Sequence, residues 1–299
     1  MDFTALRYFS ETASTRSIRA ASERLHVSPS AISRQIAKLE HELRAPVFDR
    51  RAQGMALTQA GNILQSTVEG VIREFERVKS QIAALQNIQA GTVDVCCFQT
   101  AIESFVTPVL HRFHVQYPAV TFNVSMSSTD EAMEALTTGV AEVGLILNPP
   151  VREAIETMEV FRDRIVAAFA PAHPLAKRKV VSLRELAEFP IALTERSFGL
   201  RQQHDRVFQR HSFQPRTFCV TNSLALVKGI AGVGTHCTLL PRFAVAQEVA
   251  AGTLCASAIR EFAAEPLIFC ICTFSRRSLS PATRIFVQSV VDYCRRYRH

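Results

Sequence analysis

No stretch of this 299-residue chain approaches the roughly eighteen consecutive apolar residues that a membrane-spanning helix needs. The opening Met1-Asp2-Phe3 carries neither a basic leader nor an apolar secretion segment, so a cytoplasmic location without membrane contact is the expectation. The eight cysteines, at 96, 97, 219, 237, 255, 270, 272 and 294, contain no paired CxxC elements, which excludes zinc-module spacing. Most lie in apolar strand-like runs and read as reduced core thiols. A nucleophile elbow and an HExxH motif are both missing. His173, Asp163 and Ser182 are catalytic atom types without a catalytic pattern. Gly229, Gly232 and Gly234 lack the strand–loop–helix context and the lysine of a phosphate loop. No enzyme activity, cofactor or metal is therefore expected.

What is present is ordinary globular material, 47% hydrophobic and 20% charged, in a length suited to two domains. The net charge of +7 and pI near 9.2 are compatible with a polyanionic partner. Residues 1–60 hold nine Arg/Lys against six Asp/Glu, so the surplus is spread along the chain and not gathered in a tail.

Phe3, Leu6, Phe9 and Ala13 recur at helical spacing, and Ser17 is placed to cap a second helix over Ile18 to Leu25. Ser28-Pro29 then begins a third helix that runs to Leu43: serine accepts orphan amides, and proline at the first position forfeits no bond. The short link His26-Val27-Ser28 fits helix-turn-helix geometry. Ile32, Ile36, Leu39 and Leu43 form the inward stripe. Ser28, Pro29, Ser30, Ser33, Arg34, Gln35 and Lys38 are the candidates for the DNA-facing side, with the N-terminal half nearest the base edges. A solvated helix surface would show the same polar face. Val47 to Leu57 reads as strand, polar turn, strand, a wing whose Arg50 and Arg51 suit phosphate or minor-groove contact or are plain surface charge.

Thr58 heads a further helix in which Leu64, Val68, Val71, Phe75, Val78, Ile82 and Leu85 alternate spacings of four and three. That heptad seam predicts a dimerising coiled coil, against the alternative of a helix packed on its own domain. A reading helix joined to a dimerisation helix matches two half-sites of a partly palindromic operator. Beyond Gly91, strands over 92–98, 120–126 and 143–147 alternate with helices, which predicts an α/β module with a mostly parallel sheet. Similar alternation follows through 165–169, 190–193, 217–220, 237–241 and 267–274, closing on an amphipathic helix over 282–297.

The run from Ala5 to Gly61 resembles the N-terminal domain of the LysR-type transcriptional regulators. The matching residues are Leu6-Arg7-Tyr8-Phe9, Ala20-Ala21, Leu25-His26-Val27-Ser28 and Ser30-Ala31-Ile32-Ser33-Arg34-Gln35-Ile36. They continue through Leu39-Glu40, Leu43, Phe48-Asp49-Arg50 and Leu57-Thr58-Gln59-Ala60-Gly61. The likeness extends more loosely through the rest of the chain. It implies a winged helix-turn-helix over 1–58, a dimerisation linker helix over 59–89 and a periplasmic-binding-protein-like, two-subdomain α/β effector domain over 90–299. Subdomain I would combine 91–161 with 266–299, and subdomain II would hold 162–265. The implied partners are a double-stranded DNA operator, a small-molecule effector and further copies of the chain, as a homodimer or homotetramer acting as activator or repressor.

Alignment with that family and local chemistry nominate Thr100, Ser128, Thr129, Asn222 and Ser223 at strand-to-helix junctions lining an effector cleft. Arg201 is nominated as partner for a carboxylate and Phe198 as an apolar wall. Thr100, Thr129 and Ser223 read equally well as helix caps, and Arg201 as a surface or interdomain residue. Two rival readings stand beside the ligand sensor. One is a thiol-based redox regulator using Cys96-Cys97 with Cys270 and Cys272; the other is a nonspecific architectural DNA binder.

One departure from the family pattern is Arg44, where glycine is usual after the last leucine of the third helix. A left-handed arginine there is strained by roughly 1 kcal/mol, yet its charge is placed for phosphate. Arg44→Gly is expected to reduce the salt dependence of operator affinity; an unchanged slope over several salt concentrations rejects the phosphate contact.

Overall fold

The computed structural model describes residues 2–51, 54–85 and 91–296. The side chains of Arg50, Arg51 and Leu85 lie outside what is described. The chain divides into two compact units, residues 1–82 and 83–299.

In the first unit, α1 (Phe3–Thr15), α2 (Ile18–Leu25) and α3 (Pro29–Leu43) each begin at a side-chain cap: Asp2, Ser17 and Ser28 accept the amides of Thr4, Ala20 and Ala31. Each ends on a left-handed residue that is not glycine, Arg16, His26 or Arg44, with φ of 54°, 54° and 53°. Phe9, Ala21, Ile32, Ile36 and Leu39 close the core between them.

The antiparallel hairpin β1 (Phe48–Arg51) and β2 (Gly54–Leu57) is fastened to this core at three points. Glu40 Oε1 accepts the amides of Val47 and Phe48 at 2.8 and 3.3 Å. Arg16 carbonyl accepts the Met55 amide at 2.9 Å. Thr58 donates its hydroxyl to Pro46 carbonyl at 2.7 Å and accepts the Gly61 amide at 3.0 Å. Gly61 passes so near the hairpin that a Cβ there would lie 2.1 Å from the Val47 carbonyl oxygen.

The helix that follows, α4 (Gln59–Leu85), spans 27 residues. The predicted seam divides along it. Leu64 and Val68 pack into the core of the first unit, Val68 only 1% exposed. This corrects the seam at Val68, whose burial leaves no surface for a second chain, while Leu64 is half-buried against the same core. Val71, Phe75, Val78 and Ile82 are exposed, and Phe3 meets Phe75 at 4.5 Å with the rings tilted by 44°.

The second unit holds two mixed sheets. The first is built from β3 (Gly91–Cys97), β4 (Val120–Met126), β5 (Val143–Leu147) and β6 (Ile155–Asp163). Between β3 and β4 run α5 (Gln99–Ala101), a π-turn (Ile102–Val106) and α6 (Thr107–Gln116), and α7 (Thr129–Thr138) joins β4 to β5. The chain then crosses to the second sheet through β7 (Ile165–Phe169), β8 (Val180–Val181), α8 (Leu183–Leu186) and β9 (Ile191–Thr194). It continues through α9 (Gly199–Arg210), β10 (Thr217–Thr221), α10 (Leu224–Ala231), β11 (Cys237–Pro241), a 3-10 turn (Arg242–Val245), α11 (Ala246–Ala250) and β12 (Cys255–Ile259). A second crossing returns it as β13 (Leu267–Phe274) and α12 (Pro281–Arg295).

The strand orders are β4-β3-β5-β13-β6 and β10-β9-β11-β7-β12-β8. As expected, the strands are mostly parallel, with one reversed strand in each sheet: β13 runs antiparallel to β5 and β6, and β7 antiparallel to β11 and β12, each directly following a crossing between the sheets. At the first crossing Asp163 Oδ2 accepts the Phe243 amide at 3.0 Å and Arg164 carbonyl accepts the Arg242 amide at 2.9 Å. At the second, Gln203 Nε2 donates to Glu265 carbonyl at 3.0 Å.

Two stability predictions follow from these contacts. Glu40→Ala orphans the Val47 and Phe48 amides and is expected to lower the stability of the first unit by about 1–3 kcal/mol in urea unfolding. His204 on α9 is fully buried against Phe208 and Phe262, with neither ring nitrogen hydrogen-bonded among the described residues. Burial, then the Arg201 charge, pushes its pKa from the ordinary 6.5 down to about 3. Between those values the unfolded chain binds a proton that the folded chain refuses, so stability falls as pH falls from 6.5 towards 3. His204→Leu is expected to flatten that acid limb, by up to about 1.4 kcal/mol per pH unit, in denaturant titrations at stepped pH.

Candidate DNA interface and effector cleft

On α3 the inward stripe is sealed at Ile32, Ile36 and Leu39, which are buried, whereas Leu43, predicted to continue it, is exposed at the last turn of the helix. Ser30, Arg34 and Lys38 are exposed and Ser33 half-buried on the opposite side. Among the described residues neither Arg34 nor Lys38 makes an ion pair, so both charges are unspent. Ser28 caps the helix through its hydroxyl and stands 3.0 Å from Ser30 Oγ, and exposed Pro29 fixes the first turn. Gln35 departs from the expected face: it is half-buried, and its amide oxygen is enclosed without a partner among the described residues. Arg44 does adopt the left-handed conformation, its amide closing on His41 carbonyl at 3.3 Å, and its side chain is exposed.

In the second unit a cleft of about 530 Å³ opens between the two sheets. Of the nominated residues, Thr100, Ser128, Thr129 and Phe198 line it. Thr100 is almost buried at the start of α5. Ser128 is held in a capping box: its hydroxyl accepts the Glu131 amide while the Glu131 carboxylate accepts the Ser128 amide at 2.8 Å, which lowers the Glu131 pKa. Thr129 donates its hydroxyl to Leu147 carbonyl at 2.8 Å. The helix cap expected of Thr129 thus falls to Ser128, and Thr100 caps nothing, while all three face the cleft.

Arg201, Asn222 and Ser223 do not line the cleft. Arg201 is 7% exposed, and its guanidinium is committed to Asp205 at 2.7 Å and Thr194 carbonyl at 3.0 Å. It packs on the inner face of α9, turned away from the cleft. Ser223 caps α10 by accepting the Leu226 amide. Asn222 contributes only its carbonyl, which accepts from Gln99 Nε2 at 3.0 Å across the two subdomains.

The cation that does face the cleft is Arg206, which is exposed and makes no ion pair among the described residues. The signal for it was present: Phe198, Gln202 and Arg206 recur every four residues and share one face of α9, and all three line the cleft. Phe198, at the N-cap of this 12-residue helix, supplies no side-chain cap, so the first-turn amides of α9 are not taken up by a capping side chain. Gly199 brings this helix start close to the opposite wall, a Cβ there lying 3.8 Å from Thr129 Oγ1. Lys228 ties the subdomains beside the cleft, its ammonium 2.9 Å from both Glu103 of the first and Glu248 of the second.

The cysteines separate by strand face. Cys96, Cys270 and Cys272 cluster with Met133 and Leu136 beneath α7, whereas Cys97 points into the opposite core. Burial pushes Cys96, Cys97, Cys237 and Cys294 up to about 12. Cys272 is raised by its hydrogen bond with Cys270 and by burial; the same bond lowers Cys270, which is 5% exposed. Among the described residues no group of His, Cys, Asp or Glu is placed to hold a metal, and no helix is long and apolar enough to cross a membrane.

Residues 3–62 match the bacterial regulatory helix-turn-helix proteins of the lysR family, and residues 86–295 match the LysR substrate binding domain. The transcriptional dual regulator GltC of Bacillus subtilis is 30% identical over 295 residues, covering 98% of this chain and 97% of GltC. Full-length CbnR in complex with its target DNA superposes with a TM-score of 0.71 at 23% identity, covering 98% of this chain and all of CbnR. The effector binding domain of QuiR in complex with shikimate does so with a TM-score of 0.57 at 18% identity, over 70% of this chain and all of that domain. An N-terminal helix-turn-helix followed by an α/β effector-binding domain, matched along nearly the whole length, makes this chain a member of the LysR family of DNA-binding transcriptional regulators.

Proposed function

We propose that residues 1–58 read an operator, that residues 59–89 hold two copies together, and that residues 90–299 respond to a small carboxylate bound in the cleft. The observation that carries the effector reading is the pairing of an uncapped α9 N-terminus with the unspent charge of Arg206 on one wall. An anion there gains amide donors, the helix dipole and a guanidinium together. Thr100, Ser128, Thr129 and Phe198 supply the polar and apolar remainder of the site. Shikimate, the ligand of QuiR, is itself a carboxylate.

On the DNA side, Ser30, Ser33 and Arg34 would meet base edges from the major groove, with Lys38, Arg44 and the wing residues Arg50 and Arg51 on the backbone. Association runs through Val71, Phe75, Val78 and Ile82, continued by Leu85, since four exposed apolar residues on one helix need cover. Apolar edge strands, with Val124 and Met126 on β4 and Phe218 and Val220 on β10, offer further surface for a homodimer or homotetramer.

A thiol-sensing reading has one observation in its favour, the lowered pKa of Cys270 beside Cys272. Its near-complete burial argues against attack by an oxidant. A nonspecific architectural role would leave the cleft without use.

Calorimetry of the full chain against a panel of small carboxylates is expected to find a saturable binder, with Arg206→Gln weakening it about tenfold; a panel without any saturable binder overturns the carboxylate reading. Arg34→Ala is expected to weaken operator binding, with random DNA as competitor, by about 1–3 kcal/mol if it reads a base. Operator protection lost to random competitors would favour the architectural role. Thiol titration with and without peroxide is expected to give equal counts, and a peroxide-dependent loss would establish the redox reading.

A further inference from the structure

Three charged side chains line the cleft: Arg206 on α9, and Asp130 and Glu131 on α7. The two helices belong to different subdomains, so one wall is positive and the other negative. Glu131 is engaged in the capping box, where it accepts the Ser128 amide at 2.8 Å. Asp130 and Arg206 are both exposed, and neither makes an ion pair or a hydrogen bond among the described residues. Two opposite charges thus face one cavity without meeting each other.

The walls come close where the helices begin. Thr129 and Gly199 are the first residues of α7 and α9, and a Cβ on Gly199 would lie 3.8 Å from Thr129 Oγ1. The two helix starts differ in what they can still take up. That of α7 has two carboxylates in its first turn and a side-chain cap; that of α9 has neither. An anion is repelled from the first and drawn to the second, where Arg206 adds its charge. Thr194 also lines the cleft from the α9 side; it is 4% exposed, and its hydroxyl has no partner among the described residues, which leaves a donor on the same wall. A bare carboxylate would enter a lining that already holds two carboxylates against one guanidinium, and it would leave Asp130 unpaired. An ammonium group on the same ligand removes both defects.

We propose that the effector is an amino-acid zwitterion, and that Asp130 selects it by receiving the ammonium group while the carboxylate lies at the start of α9 and Arg206. The inference rests on the carboxylate reading of the cleft and adds a second charge to the ligand. Asp130 is then the specificity-determining residue. A carboxylate without an amine meets its uncompensated charge, so selection works by rejection as well as by attraction.

The test titrates the full chain calorimetrically with the proteinogenic L-amino acids. The tightest binder is then compared with two truncated forms, the acid without its amino group and the amine without its carboxylate. At least one amino acid is expected to saturate, with each truncated form at least about tenfold weaker. Asp130→Asn is expected to close the gap between the amino acid and its deaminated acid. Arg206→Gln is expected to weaken both acids and keep that gap open. A merely structural role for Asp130 would weaken the two acids alike and leave their ratio as it was. Three results overturn the zwitterion while leaving the carboxylate reading in place: saturation by other carboxylates but by no amino acid, a deaminated acid that binds as tightly as the amino acid, or a gap that persists in Asp130→Asn. Absence of any saturable carboxylate, with or without an amine, overturns both.

Discussion

Asp163 ends the last strand of one sheet, and its carboxylate reaches over to hold the amide of Phe243, which belongs to the other. That bond fixes the first of two places where the chain passes between subdomains. A carboxylate this enclosed is costly to charge, and burial raises its pKa, but backbone donors and the Arg242 charge pull the other way. The second passage is anchored more simply, by the Gln203 amide on the carbonyl of Glu265. Both passages between the sheets are thus held by a hydrogen bond. The cleft, its opposing helix starts and the Lys228 tie all presuppose that constraint.

Within the cleft, chemistry is divided between positions that are already occupied and positions that are open. Ser128 accepts a helix-cap amide and keeps its hydroxyl proton for a ligand, whereas Thr129 spends its proton on the Leu147 carbonyl and keeps its lone pairs. The start of α9 is different, because an aromatic residue stands where a capping oxygen would otherwise be. Arg201 and Arg206, five residues apart on α9, face opposite ways. The first closes an internal ion pair with Asp205, and the second is left facing the opening.

Much of this was legible in the sequence where local chemistry alone decides the outcome. Ser28-Pro29 begins α3 and Leu43 ends it because caps and proline act on their immediate neighbours. Legibility failed where a decision depends on a distant partner. The heptad spacing from Leu64 to Leu85 records that one face of α4 is apolar, but not that Val68 is taken into the core of its own unit. Strand β6 passed unnoticed because it lies at a sheet edge, and its exposed Glu156, Thr157, Met158 and Arg162 dilute any alternation. The helical phase that sends Arg201 inward was readable only once the direction of the core was known. The resemblance to a family supplied the exchange of chain between subdomains, which no periodicity encodes.

Gly61 carries a consequence of a different kind. The carbonyl of Val47 occupies the space where any side chain at position 61 would begin, so every other residue must push the wing away from the helix behind it. A genetic screen for lost regulation is expected to collect changes at this glycine alongside changes at Arg34, the residue proposed to meet the operator, although Gly61 is buried. Mutational intolerance along this domain therefore maps two things at once, contact with the operator and the carpentry that aims it, and frequency of loss alone does not separate them.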